Sequence, residues 1–453
     1  MRLSYIFVLF LSGCAIGPTY KRPEIRVPAQ YCASLGNKTE KVEYWWQVFE
    51  DDILERLICD ALAQNLDVQI ALEKIEESRN LKNITIANIC PQINFFASVA
   101  KTNPLVNGLA VVNPLATLFN KTVDIDTLWE IDIWGRLRKL KNSATASWEA
   151  QIADMYDVSI MLAAEIAQNY INVCALQEKI KIVEHTLALN QEILNLYKYM
   201  FGSGLEDEQV PLEQVTACDQ AHVQINGFKI DLQTALHQIA YLLGQTPDQV
   251  YLDLSHIRGV PAVKKDITID EPYMLLRVRP DIRKAERLLA ASNEDIGAAM
   301  GDWFPKVQLL GIAGRVMISA IQSSKIWTIG SLFGWPIIDF GRVRYNVCAK
   351  ESAYRQALLT YEKTVINAVK EVENGLVSYI TEKNTGIILT HELEVEEKRL
   401  RCTYDLFVSG LEAEQVYLIN RKRVDEIKLA FVDSQSKCAI DFVLLSKALG
   451  GSL

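Results

Sequence analysis

Val123-Asp124-Ile125-Asp126-Thr127-Leu128-Trp129-Glu130-Ile131-Asp132-Ile133-Trp134-Gly135-Arg136 is the stretch that decides how this chain is built. Val123, Ile125, Trp129, Ile131 and Ile133 alternate with Asp124, Asp126, Glu130 and Asp132, a period of two that predicts a strand with one apolar and one charged face. After Gly135 the period changes. From Arg136 to Phe201 there is neither glycine nor proline, and these 66 residues would make one helix of about 100 Å, where globular helices average about 11–12 residues. Its later part sets Ile180, Val183, Leu187, Leu194, Tyr197 and Phe201 at steps of 3, 4, 7, 3 and 4, the seam spacing of a coiled coil. Gly202 to Gly204 close the run, and a return helix with Pro211 near its start leads to Leu243-Gly244.

The whole pattern then returns. Trp134-Gly135-Arg136 recurs as Phe340-Gly341-Arg342, Glu165 as Glu371, Gly204-Leu205-Glu206 as Gly410-Leu411-Glu412 and Leu243-Gly244 as Leu449-Gly450, each 206 positions later. Upstream, Asp67 and Pro91 match Asp281 and Pro305 at an offset of 214, so the first copy holds eight extra residues between its Pro and its Gly-Arg. Solenoid units run to roughly 20–50 residues; this is a tandem duplication of one large element, divided here as 45–260 and 261–453. The second long helix carries Leu393, Leu400 and Phe407 at steps of seven.

Each copy also predicts two strands before its long helix. Gln92 to Thr102 alternates through Ile93, Phe95, Ala97 and Val99. In the second copy Val307 to Arg315 and Lys325 to Ile338 take these places, with Trp327, Ile329, Phe333 and Trp335 on one face. A sandwich strand has the same period, but beside such helices the pattern fits a lipid-facing barrel wall, apolar outwards and polar inwards. Four strands cannot close a barrel, since the smallest in outer membranes have about eight, so the chain must oligomerise.

Met1-Arg2 followed by apolar Leu3 to Leu11 reads as a secretory signal over 1–13, too short for a bilayer that needs about 20 apolar residues. It ends at Leu11-Ser12-Gly13-Cys14, which resembles the bacterial lipobox, in which the cysteine is diacylated and becomes residue one. The resemblance implies a lipidated segment 14–44, and Ala15 in place of aspartate implies the outer membrane. Several acyl chains would anchor it stably, each buried methylene contributing about 0.8 kcal/mol.

The 453 residues carry a net charge of −9 without basic clusters, which argues against nucleic acid. Cys32, Cys59, Cys90, Cys174, Cys218, Cys348, Cys402 and Cys438 are scattered and not preserved by the repeat, the distribution of small apolar residues more than of a disulfide framework. His185, His222, His237, His256 and His391 have no second ligand at metal spacing. There is no nucleophile elbow, phosphate loop or dinucleotide fingerprint, and Gly297-Ala298-Ala299-Met300-Gly301 follows a helix and not a strand. Nothing points to an enzyme or a cofactor.

The order of these elements, the two Gly-Arg turns, the run Leu275-Leu276-Arg277-Val278-Arg279-Pro280-Asp281-Ile282-Arg283-Lys284-Ala285-Glu286, Ile296-Gly297-Ala298-Ala299, Phe304-Pro305 and the ending Lys447-Ala448-Leu449-Gly450-Gly451 resemble the TolC-like outer membrane factors. Gly17-Pro18, Tyr20, Pro23 and Trp45-Trp46 to Phe49 are similar to their lipoprotein subfamily of efflux channels. The resemblance implies a mainly α protein with membrane β: a homotrimer whose protomers each give four strands to a 12-stranded outer-membrane barrel, continued by a periplasmic α-helical barrel. It implies a passive duct of a tripartite efflux system, lipid-anchored, joined through a periplasmic adaptor to an inner-membrane pump of RND or ABC type. A type I protein-secretion duct is the alternative within the class, and a non-channel periplasmic coiled-coil lipoprotein the alternative outside it.

A duct works through its charge and its gate. Glu206, Asp207 and Glu208 follow Gly204-Leu205, and Glu412 and Glu414 follow Gly410-Leu411, five carboxylates at the two helical turns. Such acids favour cations in an aperture; equally, acids near a helix start stabilise its dipole by about 0.3–1 kcal/mol each. The family's aspartate gate maps onto Val416 and Ile419, so the resemblance leaves the closed state to apolar contact or to Arg421 and Arg423. It also makes the two Gly-Leu turns the adaptor contact.

Overall fold

The computed structural model describes residues 16–25, 28, 31, 44–102, 105–106, 109–110, 118–250, 254, 259–264, 272–318 and 322–451. Cys14, the signal segment 1–13 and most of 14–44 lie outside them. The first repeat comprises helices α1 (Asp52–Gln64) and α2 (Leu66–Ala87), strands β1 (Gln92–Thr102) and β2 (Leu118–Ile131), and helices α3 (Arg136–Gly202) and α4 (Gln209–Leu242). The second comprises α5 (Pro280–Gly301), β3 (Lys306–Ile318), β4 (Gln322–Gly334), α6 (Arg342–Val408) and α7 (Glu414–Ala448). Both α2 and α5 have 22 residues, and both α3 and α6 have 67. The glycines at repeat-related turns share a left-handed backbone: Gly135 and Gly341 at φ +78° and +86°, Gly204 and Gly410 at +75° and +71°.

The chain forms two compact units, each drawing on both repeats. One gathers 1–25, 73–153 and 284–363; the other gathers 26–72, 154–283 and 364–453.

The first unit holds an antiparallel meander in the order β1-β2-β3-β4. Directly paired residues share a face, so the register assigns the wall. Phe95, Ile125, Ala313 and Trp327 form one row, and Ile93, Thr127, Gly311 and Ile329 the next. Their large apolar side chains stand exposed, Ile329 at 83%. On the opposite face Asn94, Asp126, Ile312 and Thr328 align, with Asp124 and Glu130 on that side too. Among the described residues β1 and β4 are each paired along one edge only.

Two strands stop short of the sequence expectation, while β2, β3 and β4 extend past it at their other ends. β2 stops at Ile131 because Asp132 turns to cap α3, its carboxylate accepting from the Leu137 and Arg138 N–H at 3.1 and 2.9 Å. β4 stops at Gly334, so Trp335 and Ile338 are not in it. Pro336 has no N–H to give the ladder, and Asp339 accepts from the Gly341 and Val343 N–H at 2.9 Å. Between strand and helix, Arg136 donates to both Glu130 oxygens at 2.8 and 2.9 Å.

An amino-terminal strap crosses this unit. The Ile16 N–H donates to the Trp134 carbonyl at 3.0 Å, and the Pro18 carbonyl accepts from Lys139 Nζ at 3.0 Å. A Cβ on Gly17 (φ +110°) would stand 2.5 Å from Gly297 Cα, so the Gly-rich run of α5 is a packing seat. Tyr20 donates to Glu286 Oε1 at 2.5 Å; burial and that carboxylate push the Tyr20 hydroxyl above its usual range.

In the second unit Trp45, Val48 and Phe49 are buried, Phe49 edge-on to Phe442 at 5.3 Å. Of the predicted α3 seam, Val183 and Tyr197 are buried, Ile180, Leu187 and Leu194 are half-buried and Phe201 is exposed. Leu393, Leu400 and Phe407 of α6 are half-buried. No helix among the described residues is long and apolar enough to cross a membrane.

Candidate functional site

The candidate site is the pair of helical turns in the second unit, α3 to α4 and α6 to α7. Both long helices end in one hydrogen-bond pattern. Gly204 N–H donates to the Phe201 carbonyl and Leu205 N–H to Met200, each at 2.9 Å; Gly410 donates to Phe407 and Leu411 to Leu406 at the same distances. These are Schellman closures, which need a left-handed residue where a side chain costs about 1–2 kcal/mol. Nothing lies within 4 Å of where a Cβ would stand on either glycine. Backbone conformation alone demands them within the chain.

The closures leave apolar groups in solvent. Leu205 is 70% exposed and Leu411 75%. Tyr199 and Val408 are exposed beside them.

Glu206 and Glu412 are half-buried, whereas Asp207, Glu208 and Glu414 are exposed. Among the described residues Glu206, Asp207, Glu208 and Glu414 have no side-chain hydrogen bond or ion pair; Glu412 accepts only from the Ala413 N–H, at 3.3 Å. The Glu208 side chain makes no cap bond to α4. Of the five, Glu414 stands in a first helical turn, that of α7, where it complements the dipole.

Behind the turns α7 packs on α3. Leu418 is buried with Leu189, Ile193 and Tyr197, and Gln415 Nε2 donates to the Tyr197 hydroxyl at 2.8 Å. Tyr417 stacks on Phe407 with ring centroids 5.6 Å apart. Val416 and Ile419, flanking Leu418, point out to solvent. Arg421 lies 3.5 Å from Glu192 and 3.4 Å from His185 Nε2, both on α3, and over the Tyr417 ring at 5.7 Å. Arg423 reaches Glu426 of its own helix, at 3.5 Å.

Sequence reasoning missed the group beside Arg421. His185 Nδ1 lies 2.5 Å from buried Asp425 Oδ2, which also accepts from Thr186 Oγ1 at 3.3 Å. Glu192, Arg421, His185 and Asp425 thus form a polar row across the α3–α7 contact. A signal existed: Asp425 follows Leu418 by seven residues, so it sits on the same buried stripe. Asn420, also buried, accepts from Arg399 at 2.7 Å and donates to Thr403 at 3.0 Å, tying α7 to α6.

Other candidates have structural work. Arg279 of the Arg-Pro-Asp run, at the rim of a 440 Å³ surface cleft, donates to Asp281, Glu371 and the Ala448 carbonyl at 2.7, 2.8 and 2.7 Å. The seven described free cysteines form no disulfide, and only Cys174 and Cys218 are buried. Among the described residues no cluster of His, Cys, Asp or Glu could hold a metal ion.

Two segments, 57–245 and 272–451, each match the outer membrane efflux protein family. The chain belongs to that family. Nodulation protein T of Rhizobium leguminosarum bv. trifolii is 26% identical to it, over 98% of this chain and 96% of that one. Cation efflux system protein CusC of Escherichia coli O6:H1 is 28% identical over 99% and 98%. Among solved structures the outer-membrane channel OprN superposes with a TM-score of 0.87 at 26% identity, covering 97% and 99%. This outer membrane efflux protein is therefore the channel component of a tripartite system, seated in the outer membrane with a periplasmic extension. Members of its family work with periplasmic adaptors and inner-membrane pumps.

Proposed function

We propose that three copies of this chain close a 12-stranded barrel and form one passive export duct, anchored by lipid on Cys14 and fed by an RND-type pump. The observation that carries this reading is the four-stranded sheet itself: one face carries Ile93, Phe95, Ile125, Trp327 and Ile329 in solvent, the other carries Asp124, Asp126 and Glu130 among mixed residues, and both edges are unpaired among the described residues. Copies pairing β4 to β1 remove every edge, and only a closed sheet leaves no unsatisfied backbone in lipid. A non-channel coiled-coil lipoprotein has no use for such a wall.

The Gly204-Leu205 and Gly410-Leu411 turns then meet the adaptor, glycine permitting close approach and leucine giving the apolar anchor. Glu206, Asp207, Glu208, Glu412 and Glu414 make that mouth attractive to cations. Val416, Ile419 and Arg421 line the closed state, and Arg423 flanks it. Cargo follows the pump, and relatives named for nodulation and for cation efflux assign none to this chain. The lipobox favours small-molecule efflux over an ABC-driven protein-secretion duct.

Photo-crosslinking from a probe amino acid at position 411 in whole cells tests the docking. The expected product is one adduct with a periplasmic adaptor. Adducts confined to this chain would move the docking surface elsewhere.

A further inference from the structure

The apolar face of the sheet ends in positive charge. Arg315 of β3 lies directly opposite Lys325 of β4, and Lys121 of β2, paired with Met317, stands diagonally beside Arg315 on the same face. All three are exposed, and among the described residues none holds a hydrogen bond or ion pair. Like charges directly opposite on neighbouring strands destabilise their pairing. No acid on this face offsets them, because Asp124, Asp126 and Glu130 belong to the other one. The connecting residues 103–117 and 319–321 contain no Asp or Glu either.

The height of this row says what meets it. From Val307 at the helix end of β3 to Arg315 is about 27 Å along the strand, or about 20 Å of height at a barrel tilt of about 35–45°. The row just below carries Phe95, Ile125 and Trp327, and tryptophan favours the headgroup level. The helices of this unit join the opposite ends of the strands and are periplasmic in this family, so the cations stand at the surface of the outer leaflet.

We infer that Arg315, Lys325 and Lys121 are a docking site for the phosphate groups of the anionic glycolipid of that leaflet. The inference rests on the chain forming a barrel wall. The occupant is an amphiphile because the site is one: acyl chains lie along Ile93, Phe95, Trp327 and Ile329 while phosphate meets the cations above them. The planar guanidinium of Arg315 takes two phosphate oxygens, and the lysines act as point charges.

The test is native mass spectrometry of the purified protein in detergent, titrated separately with bis-phosphorylated lipid A, dephosphorylated lipid A, phosphatidylglycerol and inorganic phosphate. Bis-phosphorylated lipid A should bind tightest, and Arg315→Gln, Lys325→Gln and Lys121→Gln should each weaken it about fivefold. Lys325→Arg should keep full binding. In lipid-free detergent Lys325→Gln should raise the thermal unfolding midpoint by relieving repulsion, and in bilayers containing lipid A the same change should lower it. The inference falls if dephosphorylated lipid A or phosphatidylglycerol binds as tightly, if free phosphate displaces lipid A at equal concentration, or if the two midpoints move together. Conductance in planar bilayers separates the failures. Wild-type protein without conductance sinks the barrel itself, whereas conducting protein indifferent to lipid A sinks this site alone.

Discussion

Ile125→Arg tests which side of the sheet meets lipid. Ile125 stands near the middle of the 14-residue β2, directly opposite Phe95 and Ala313, and is 52% exposed. Ile125 lies one register row below the Arg315–Lys325 pair, so arginine there costs less than the midplane value of about 2–4 kcal/mol and more than the interfacial value of about 0–1, roughly 1–2 kcal/mol. Three copies in one barrel raise this to about 3–6 kcal/mol per assembly. Asp126→Arg is the internal control, because the next residue turns to the face where Asn94 Nδ2 donates to Asp126 at 3.4 Å. There the added charge meets lumen water, and the expected cost is within about 1 kcal/mol. Urea titration of protein folded into lipid vesicles, followed by tryptophan fluorescence, measures both. Equal losses, or a larger loss for Asp126→Arg, would refute the assignment of faces.

Other consequences are as specific. Gly410→Ala adds a Cβ that meets nothing within 4 Å, so it should cost only the left-handed strain of about 1–2 kcal/mol. Gly410→Arg should abolish efflux while assembly persists, as read by substrate accumulation beside a membrane blot; loss of assembly would make the glycine merely structural. Arg421→Ala removes contacts to His185 and Glu192 that are partly exposed, about 0.2–1 kcal/mol, and should raise single-channel conductance. Unchanged conductance would put the gate elsewhere. Cys14→Ser should remove the acyl mass from the mature amino terminus in mass spectrometry, and an unmodified wild-type terminus would remove the anchor. Tyr20→Phe takes from Glu286 the 2.5 Å bond that holds the strap, and should lower the unfolding midpoint by about 1 kcal/mol in equivalent stability.

Most of the architecture was legible because it is periodic. Alternation from Val123 to Ile131 and the glycine-free run from Arg136 name a strand and a helix without any tertiary information, and the internal repeat doubles each signal. Strand ends were less legible, since β4 stops at Gly334 for reasons that lie beyond it in Pro336 and Asp339. The pairing of Ile125 with Ala313 joins the two repeats, and no local pattern specifies a partner so distant in sequence. The interleaving of both repeats within each compact unit is invisible for the same reason. At the turns, Gly204 and Gly410 were readable from their spacing, whereas His185 with Asp425 was not, because a polar pair on two buried stripes appears only when α3 meets α7.

The number of chains in the detergent-extracted particle tests the central claim most directly. Four strands with two open edges require partners, and native mass spectrometry should show three chains of this protein and no smaller species retaining full β-sheet signal. A stable monomer with its sheet intact would contradict the account.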